Sequence, residues 1–226
     1  MARGILIDIE GADGSGKATQ SKLLAEALQK AGHGVATFSF PRYYESRAGK
    51  LIGELLAGKH GDFMTMPAYV SALPYAMDRA GAQAALQAAL DAGKVLVCDR
   101  YTSSNLAHQS AKVPKDEQPA LVDFIEGLEY DDLSIPRPDV VFYLSMPTDV
   151  SSELIGRKDA REYTGGEKRD QAERNMAHQD RTRAAYLRLA AEKGWHVIEC
   201  VKEGTLRTPE DIHQEIMSIV TPALER

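Results

Sequence analysis

A glycine-rich turn near the start limits most severely what this chain can fold into. Ile5-Leu6-Ile7-Asp8-Ile9 reads as a short β-strand. Gly11-Ala12-Asp13-Gly14-Ser15-Gly16-Lys17-Ala18-Thr19-Gln20 follows it directly. Leu23, Leu24, Ala27, Leu28 and Ala31 then recur at helical spacing until Gly32 and Gly34 break the pattern. Strand, glycine-rich loop and helix are the context required by the phosphate-binding motif G-x-x-x-x-G-K-[ST], matched here except at its last position. Glycines let the backbone curl until successive N–H groups point at a phosphate, and the helix N-terminus adds partial positive charge. Lys17 is placed to reach the β- and γ-phosphates of a nucleoside triphosphate. Gly11, Asp13, Gly14, Ser15, Gly16, Lys17, Ala18 and Thr19 are therefore the candidate triphosphate-binding residues. Ala18 stands where a hydroxyl normally ligates Mg²⁺, so the metal either rests more on carboxylates or is held more loosely.

The rest of the chain alternates in the same way. Val35–Phe40, Val95–Cys98, Val140–Leu144 and Trp195–Glu199 are further strand-like runs. Leu73–Leu90 is rich in Ala and Leu and is expected to be helical, with a break near Pro74. A helical pattern also runs through Tyr186, Leu187 and Ala190. Strands alternating with helices imply parallel crossovers, and short apolar runs fit strands covered on both faces. The expectation is one α/β domain over residues 1–226: a five-stranded parallel sheet with helices on both faces. A charged insert of about 156–173 would form a mobile lid. Cys98 and Cys200 each end a β-type run and read as small buried side chains. With 27 Lys and Arg against 33 Asp and Glu, the net charge of −6 argues against nucleic acid as the main partner. It leaves room for a small phosphorylated ligand held by a local cluster of cations. Neither a bilayer-spanning apolar run nor a signal peptide is apparent, so a cytoplasmic location is expected.

A phosphate loop names a nucleotide but not a reaction; the N-K-x-D that reads guanine in GTPases does not occur. Five further segments are more specific: Phe40-Pro41-Arg42-Tyr43, Tyr75-Ala76-Met77-Asp78-Arg79, Asp99-Arg100-Tyr101 with Ser104-Asn105 and Ala107-His108, Pro138-Asp139, and Asp170-Gln171-Ala172-Glu173. In this order they resemble the motifs of thymidylate kinases, which are P-loop nucleoside monophosphate kinases, over nearly the whole chain. Gly58–Asp62 and Asp78–Ala82 are similar to actinobacterial members in particular. The resemblance implies an ATP:dTMP phosphotransferase with Mg²⁺ as cofactor, working as a homodimer.

By the same resemblance, Arg42 and Arg100 grip the dTMP phosphate, beside Phe40. Tyr75 stacks on thymine, Arg79 hydrogen-bonds O4 and Asn105 reads the base edge. His108 replaces a tyrosine near the sugar 2′ position, and Asp13 approaches the 3′-OH and the metal. Asp13 and Glu173 are the implied metal carboxylates, with Asp99 acting through water. The loop contains no arginine, whereas Arg157, Lys158, Arg161, Lys168 and Arg169 crowd the insert. Thymidylate kinases take a catalytic arginine from the loop or from the lid, so the resemblance to the lid-arginine type implies Arg157 and Arg161 as catalytic, together with Lys17, Arg100 and Asp99. Two other readings remain open from the residues: a kinase for another nucleoside monophosphate, and a nucleotide-binding protein that has lost catalysis, at which Ala18 hints.

Overall fold

Short apolar runs separated by helices satisfy their backbone groups by pairing side by side in parallel. The structure is a computed structural model that describes residues 3–156 and 175–224. Its main sheet is formed by β1 (Leu6–Gly11), β2 (Val35–Ser39), β3 (Val95–Asp99), β4 (Val140–Ser145) and β5 (His196–Glu199), in the order β2-β3-β1-β4-β5. All four strand pairings are parallel. β1 lies centrally, with Asp8 opposite Cys98 on β3 and opposite Val141 on β4.

Helices cover both faces. The Ile7 and Ile9 face of β1 packs on Leu24 and Leu28 of α1 (Lys17–Lys30) and on Ile212, Ile216 and Val220 of α9 (Pro209–Leu224). On the other face Tyr143 of β4 packs with α5 (Thr102–Ser110), α6 (Gln118–Glu126) and α8 (Met176–Lys193), through Leu106, Ile125 and Leu189. Strand side chains alternate between faces, so Asp8 and Glu10 share that second face, and both are fully buried. A π-type turn, Gly127–Asp132, extends α6. Beyond the sheet edge, β6 (Val201–Lys202) and β7 (Thr205–Leu206) form a small hairpin that the hydrophobic pattern does not announce.

One expected boundary moves. Helix α3 (Ala68–Ala80) runs through Pro74, and the chain breaks instead at Gly81 before α4 (Gln83–Asp91). A Cβ on Gly81 would stand 2.8 Å from Arg42 Nη2, so this turn must pass close to the loop after β2. Helix α2 (Arg47–Leu56) packs on α3, and Ser46 caps it by accepting a hydrogen bond from the Gly49 N–H. Helix α7 (Thr148–Gly156) leads into the insert. The expected lid, 156–173, lies outside the described residues but for its first position, as do Arg157, Arg161 and Glu173. Cys98 and Cys200 are both buried free thiols, as their sequence positions suggest.

Candidate active site

In a parallel sheet, ligands collect where the strand order reverses, outside the carboxyl ends of the strands. Here β1 is flanked by β3 and β4, and the loops leaving β1 and β3 face each other. The first is the glycine-rich turn. Gly11 has φ +154°, and a Cβ there would meet Ser15 Oγ at 2.5 Å and the Leu144 carbonyl at 2.9 Å. Gly16, at φ +92°, brings the chain into α1. Lys17 is 7% exposed; its Nζ donates to the Ala12 carbonyl at 2.8 Å and lies 3.8 Å from Asp13 Oδ1. Burial, and then the charge of Arg100, pull the Lys17 pKa down to about 8. Among the described residues the Ser15 hydroxyl, buried in the loop, has no hydrogen-bond partner. A buried hydroxyl, a helix N-terminus and a cation confined together make an anion site.

From the second loop comes Arg100, whose backbone is left-handed at φ 66°, a conformation non-glycine residues seldom take. The strain is held by the sheet: the Arg100 N–H donates to the Ile9 carbonyl at 3.1 Å. This turns the guanidinium toward the first loop, where Nη2 reaches Asp13 Oδ1 at 3.1 Å and Nη1 donates to Ser104 Oγ at 3.3 Å. Burial works against the Arg100 charge, but Asp13 and other acidic neighbours hold its pKa well above the usual arginine value. Lys17 and Arg100 thus flank one carboxylate oxygen. Both line a cavity of about 640 Å³ whose wall also includes Asp13, Asp99, Phe40 and Tyr43.

The expected acceptor residues divide into two groups. Phe40 is on the cavity wall, and Tyr75 and His108 line a smaller recess with Phe63. Tyr75 packs with its ring centroid 6.2 Å from that of Phe63. His108 is half-buried between His178 and Tyr186, at ring distances of 5.9 and 6.0 Å. Burial, Arg100 and His178 push its pKa well below the ordinary histidine value, so it is neutral at physiological pH. Arg42, Arg79 and Asn105 are instead tied into the protein. Arg42 Nε pairs with Asp78 Oδ1 at 3.1 Å, and the Arg42 N–H donates to Asp78 Oδ2 at 2.8 Å. Arg79 and Asn105, each 2% exposed, converge on Glu129.

Sequence reasoning missed three buried carboxylates that hold this arrangement together. Glu10 accepts from the Tyr101 N–H at 2.9 Å, Ser104 Oγ at 2.6 Å and the Tyr186 hydroxyl at 2.8 Å, bracing the turn that carries Arg100. Asp78 anchors Arg42, and Glu129 anchors Arg79. A charged residue inside an apolar strand was the available signal for Glu10. For Asp78 and Glu129 the partners are distant in the chain, and the sequence carries no local sign of them.

A family model described as thymidylate kinase matches residues 9–216. The chain belongs to the thymidylate kinase family. A thymidylate kinase of Mycobacterium tuberculosis is 37% identical over 193 residues, spanning 84% of this chain and 87% of that protein. A probable thymidylate kinase of Pyrococcus abyssi is 32% identical over 224 residues, spanning 96% of both. The solved thymidylate kinase of Candida albicans shares the fold, with a TM-score of 0.73 at 24% identity over 100% of this chain and 95% of that one.

A metal in such a site has few protein oxygens to use. Ala18 offers none, and among the described residues no three His, Cys, Asp or Glu converge into a closed site. Asp13 and Asp99, both on the cavity wall, are hard carboxylate donors of the kind that suit a largely hydrated Mg²⁺.

Proposed function

We propose that the chain transfers the γ-phosphate of ATP to dTMP, giving dTDP and ADP. The observation that carries this reading is the convergence of Lys17 and Arg100 on Asp13 in one cavity, from two different strand ends. Two nucleotide phosphates repel each other, and a kinase must hold them in contact; one cation per phosphate, across a shared carboxylate, does so. The triphosphate takes the loop of Gly11, Asp13, Gly14, Ser15, Gly16, Lys17, Ala18 and Thr19, and the acceptor phosphate takes Arg100.

An oxygen of the dTMP phosphate then attacks the γ-phosphorus in line. A new O–P bond forms, the bond from the γ-phosphorus to the β-phosphate oxygen breaks, and ADP leaves with that electron pair. The attacking oxygen is already anionic, so no general base is needed and catalysis is positioning plus charge neutralisation. Lys17 holds the γ-phosphate while Arg100 aligns the attacker, and Asp13 keeps both cations in register. Mg²⁺, when bound, would neutralise charge on the phosphate oxygens; Asp13, Asp99 and Glu173 are the carboxylates to hold it. Arg157 and Arg161 are proposed to close over the transferring group and exclude water. Tyr75 is proposed as the face for thymine, with His108 beside the sugar.

The same reading includes a homodimer. Tyr69, Val70, Leu73 and Met77 form a stripe along α3 that is 40–56% exposed, and the Tyr69 ring lies 5.0 Å from that of the exposed Phe124 on α6. Apolar side chains in one band of this kind mark a contact surface. Met77→Glu should turn a dimer into a monomer in sedimentation analysis. A cytoplasmic location belongs to the same proposal; among the described residues no helix is long and apolar enough to cross a membrane.

The test is a coupled assay for ADP with dTMP, dUMP, dCMP and dGMP as acceptors. The reading predicts that ADP forms on adding an acceptor, fastest with dTMP. ADP release that ignores the acceptor, or that is fastest with a purine nucleotide, would contradict it.

A further inference from the structure

The turn at the centre of the phosphate loop is of a kind that has two forms. The Ser15 N–H donates to the Ala12 carbonyl at 3.1 Å, closing a turn over Ala12, Asp13, Gly14 and Ser15. Gly14, third in the turn, has φ 85°, the sign that a type II turn requires there. A type I turn differs by a half-rotation of the central peptide, here the one joining Asp13 to Gly14, and glycine admits either form. The two forms behave oppositely toward an anion. A planar trans peptide carries its C=O and N–H on opposite sides. One form therefore offers a phosphate the Gly14 N–H, and the other offers it the partial negative charge of the Asp13 carbonyl oxygen.

A residue 138 positions along the chain chooses between them. Ser151 Oγ donates to the Asp13 carbonyl at 2.5 Å. Ser151 is fully buried in the first turn of α7, where its N–H donates to the Pro147 carbonyl at 2.9 Å. Gly14 lies on the wall of the cavity that holds Lys17 and Arg100, whereas Ser151 stands behind it. The neighbouring loop carbonyl is occupied as well, since Ala12 accepts from Lys17 Nζ at 2.8 Å. The acceptor side has separate supports: Arg100 is set by the Ile9 carbonyl on β1 and by Ser104 Oγ on α5.

We infer that Ser151 is a positioning residue for the triphosphate: from α7 it holds the Asp13–Gly14 peptide with its carbonyl turned to the helix and its N–H turned to the phosphates. Ser151 itself does not touch the nucleotide. Without its hydroxyl the turn populates both forms, and the apparent ATP affinity falls with the fraction that is still competent to bind. The grip of Arg100 on the acceptor does not depend on this peptide.

The inference rests on ATP taking this loop, and the experiment separates the two. Calorimetry measures ATP and dTMP binding separately for wild type, Ser151→Ala and Ser151→Gly, with urea unfolding of each. In Ser151→Ala the ATP Kd should rise about threefold to tenfold, the range over which one neutral hydrogen bond moves an equilibrium between two forms. The dTMP Kd should stay within about twofold, because the hydrogen bonds that set Arg100 are intact. Ser151→Gly lacks the same hydroxyl and also loses helix propensity, so it should be less stable yet weaken ATP to the same extent. An unchanged ATP Kd, equal weakening of ATP and dTMP, or ATP weakening that follows the loss of stability from one variant to the other overturns the positioning role. A wild type that does not bind ATP overturns the underlying reading, and the inference with it. If Ser151→Ala does not fold, Ser151→Cys carries the test, because a thiol of similar size is only a weak donor. There the ATP Kd should rise about threefold with dTMP binding unchanged; an unchanged ATP Kd overturns the inference.

Discussion

Replacing Arg42 with alanine should weaken the fold more than it weakens the acceptor site. Asp78 is 1% exposed, and its carboxylate meets Arg42 Nε at 3.1 Å, the Arg42 N–H at 2.8 Å and the Ser46 hydroxyl at 2.5 Å. Alanine keeps the backbone N–H and Ser46 in place but removes the one cation that pairs with Asp78 among the described residues. Removing one partner of a buried ion pair typically costs about 3–5 kcal/mol. Two of the contacts to Asp78 survive, and the Arg42 side chain is 16% exposed, so the lower end applies, about 3 kcal/mol. With a urea dependence of about 2–3 kcal/mol per molar for a chain of this length, the unfolding midpoint should fall by about 1–1.5 M. The assay is urea denaturation followed by circular dichroism, with the dTMP KM measured on the same preparation. A variant within about 1 kcal/mol of wild type whose dTMP KM rises a hundredfold would refute this reasoning. It would restore Arg42 to the phosphate-gripping role that the sequence motif implies.

Three further outcomes follow from charges the fold has buried. Lys17, with its pKa held near 8, loses its proton in the free protein as pH rises through that value. ATP affinity should therefore fall about tenfold between pH 7 and pH 9 by calorimetry, and Lys17→Met should bind weakly at both pH values with little slope between them. Asp8 is fully buried, and burial, reinforced by Glu10, raises its pKa well above the usual carboxylate value. The folded state thus keeps a proton that the unfolded chain releases above about pH 4, so stability drains away as pH rises from there toward the folded-state pKa. Asp8→Val should gain about 1–3 kcal/mol at pH 8, gain less at pH 5, and flatten the pH profile of unfolding. Arg100→Ala should weaken dTMP binding by about 1.5–3 kcal/mol while leaving ATP binding nearly intact, both read by calorimetry; equal weakening of the two would contradict its assignment to the acceptor.

What could be read from the sequence was what is local along the chain. The loop from Gly11 to Thr19 declares itself because strand, glycines, lysine and helix are consecutive, and the five strands follow from runs of β-branched residues between helical patterns. Asp99 and Arg100 could be placed because they end such a run. Arg42 and Arg79 show the limit. A sequence gives their type and spacing, but whether each guanidinium is turned to a ligand or to a buried carboxylate depends on Asp78 and Glu129. Arg42 lies 36 residues from Asp78, and Arg79 lies 50 residues from Glu129. The break expected at Pro74 moved for a similar reason. Packing of α3 against α2 and α5 outweighs one missing hydrogen bond, while the close approach of Arg42 places the real break at Gly81.

The central claim is a transfer between two nucleotides held by Lys17 and Arg100, and isotope tracing tests it most directly. The protein is incubated with ATP labelled at the γ-phosphorus, unlabelled dTMP and Mg²⁺, and the products are separated. The account predicts label in the terminal phosphate of dTDP, with unlabelled ADP formed in equal amount, and neither product with Lys17→Ala. Label released as inorganic phosphate while dTMP remains unchanged would contradict it.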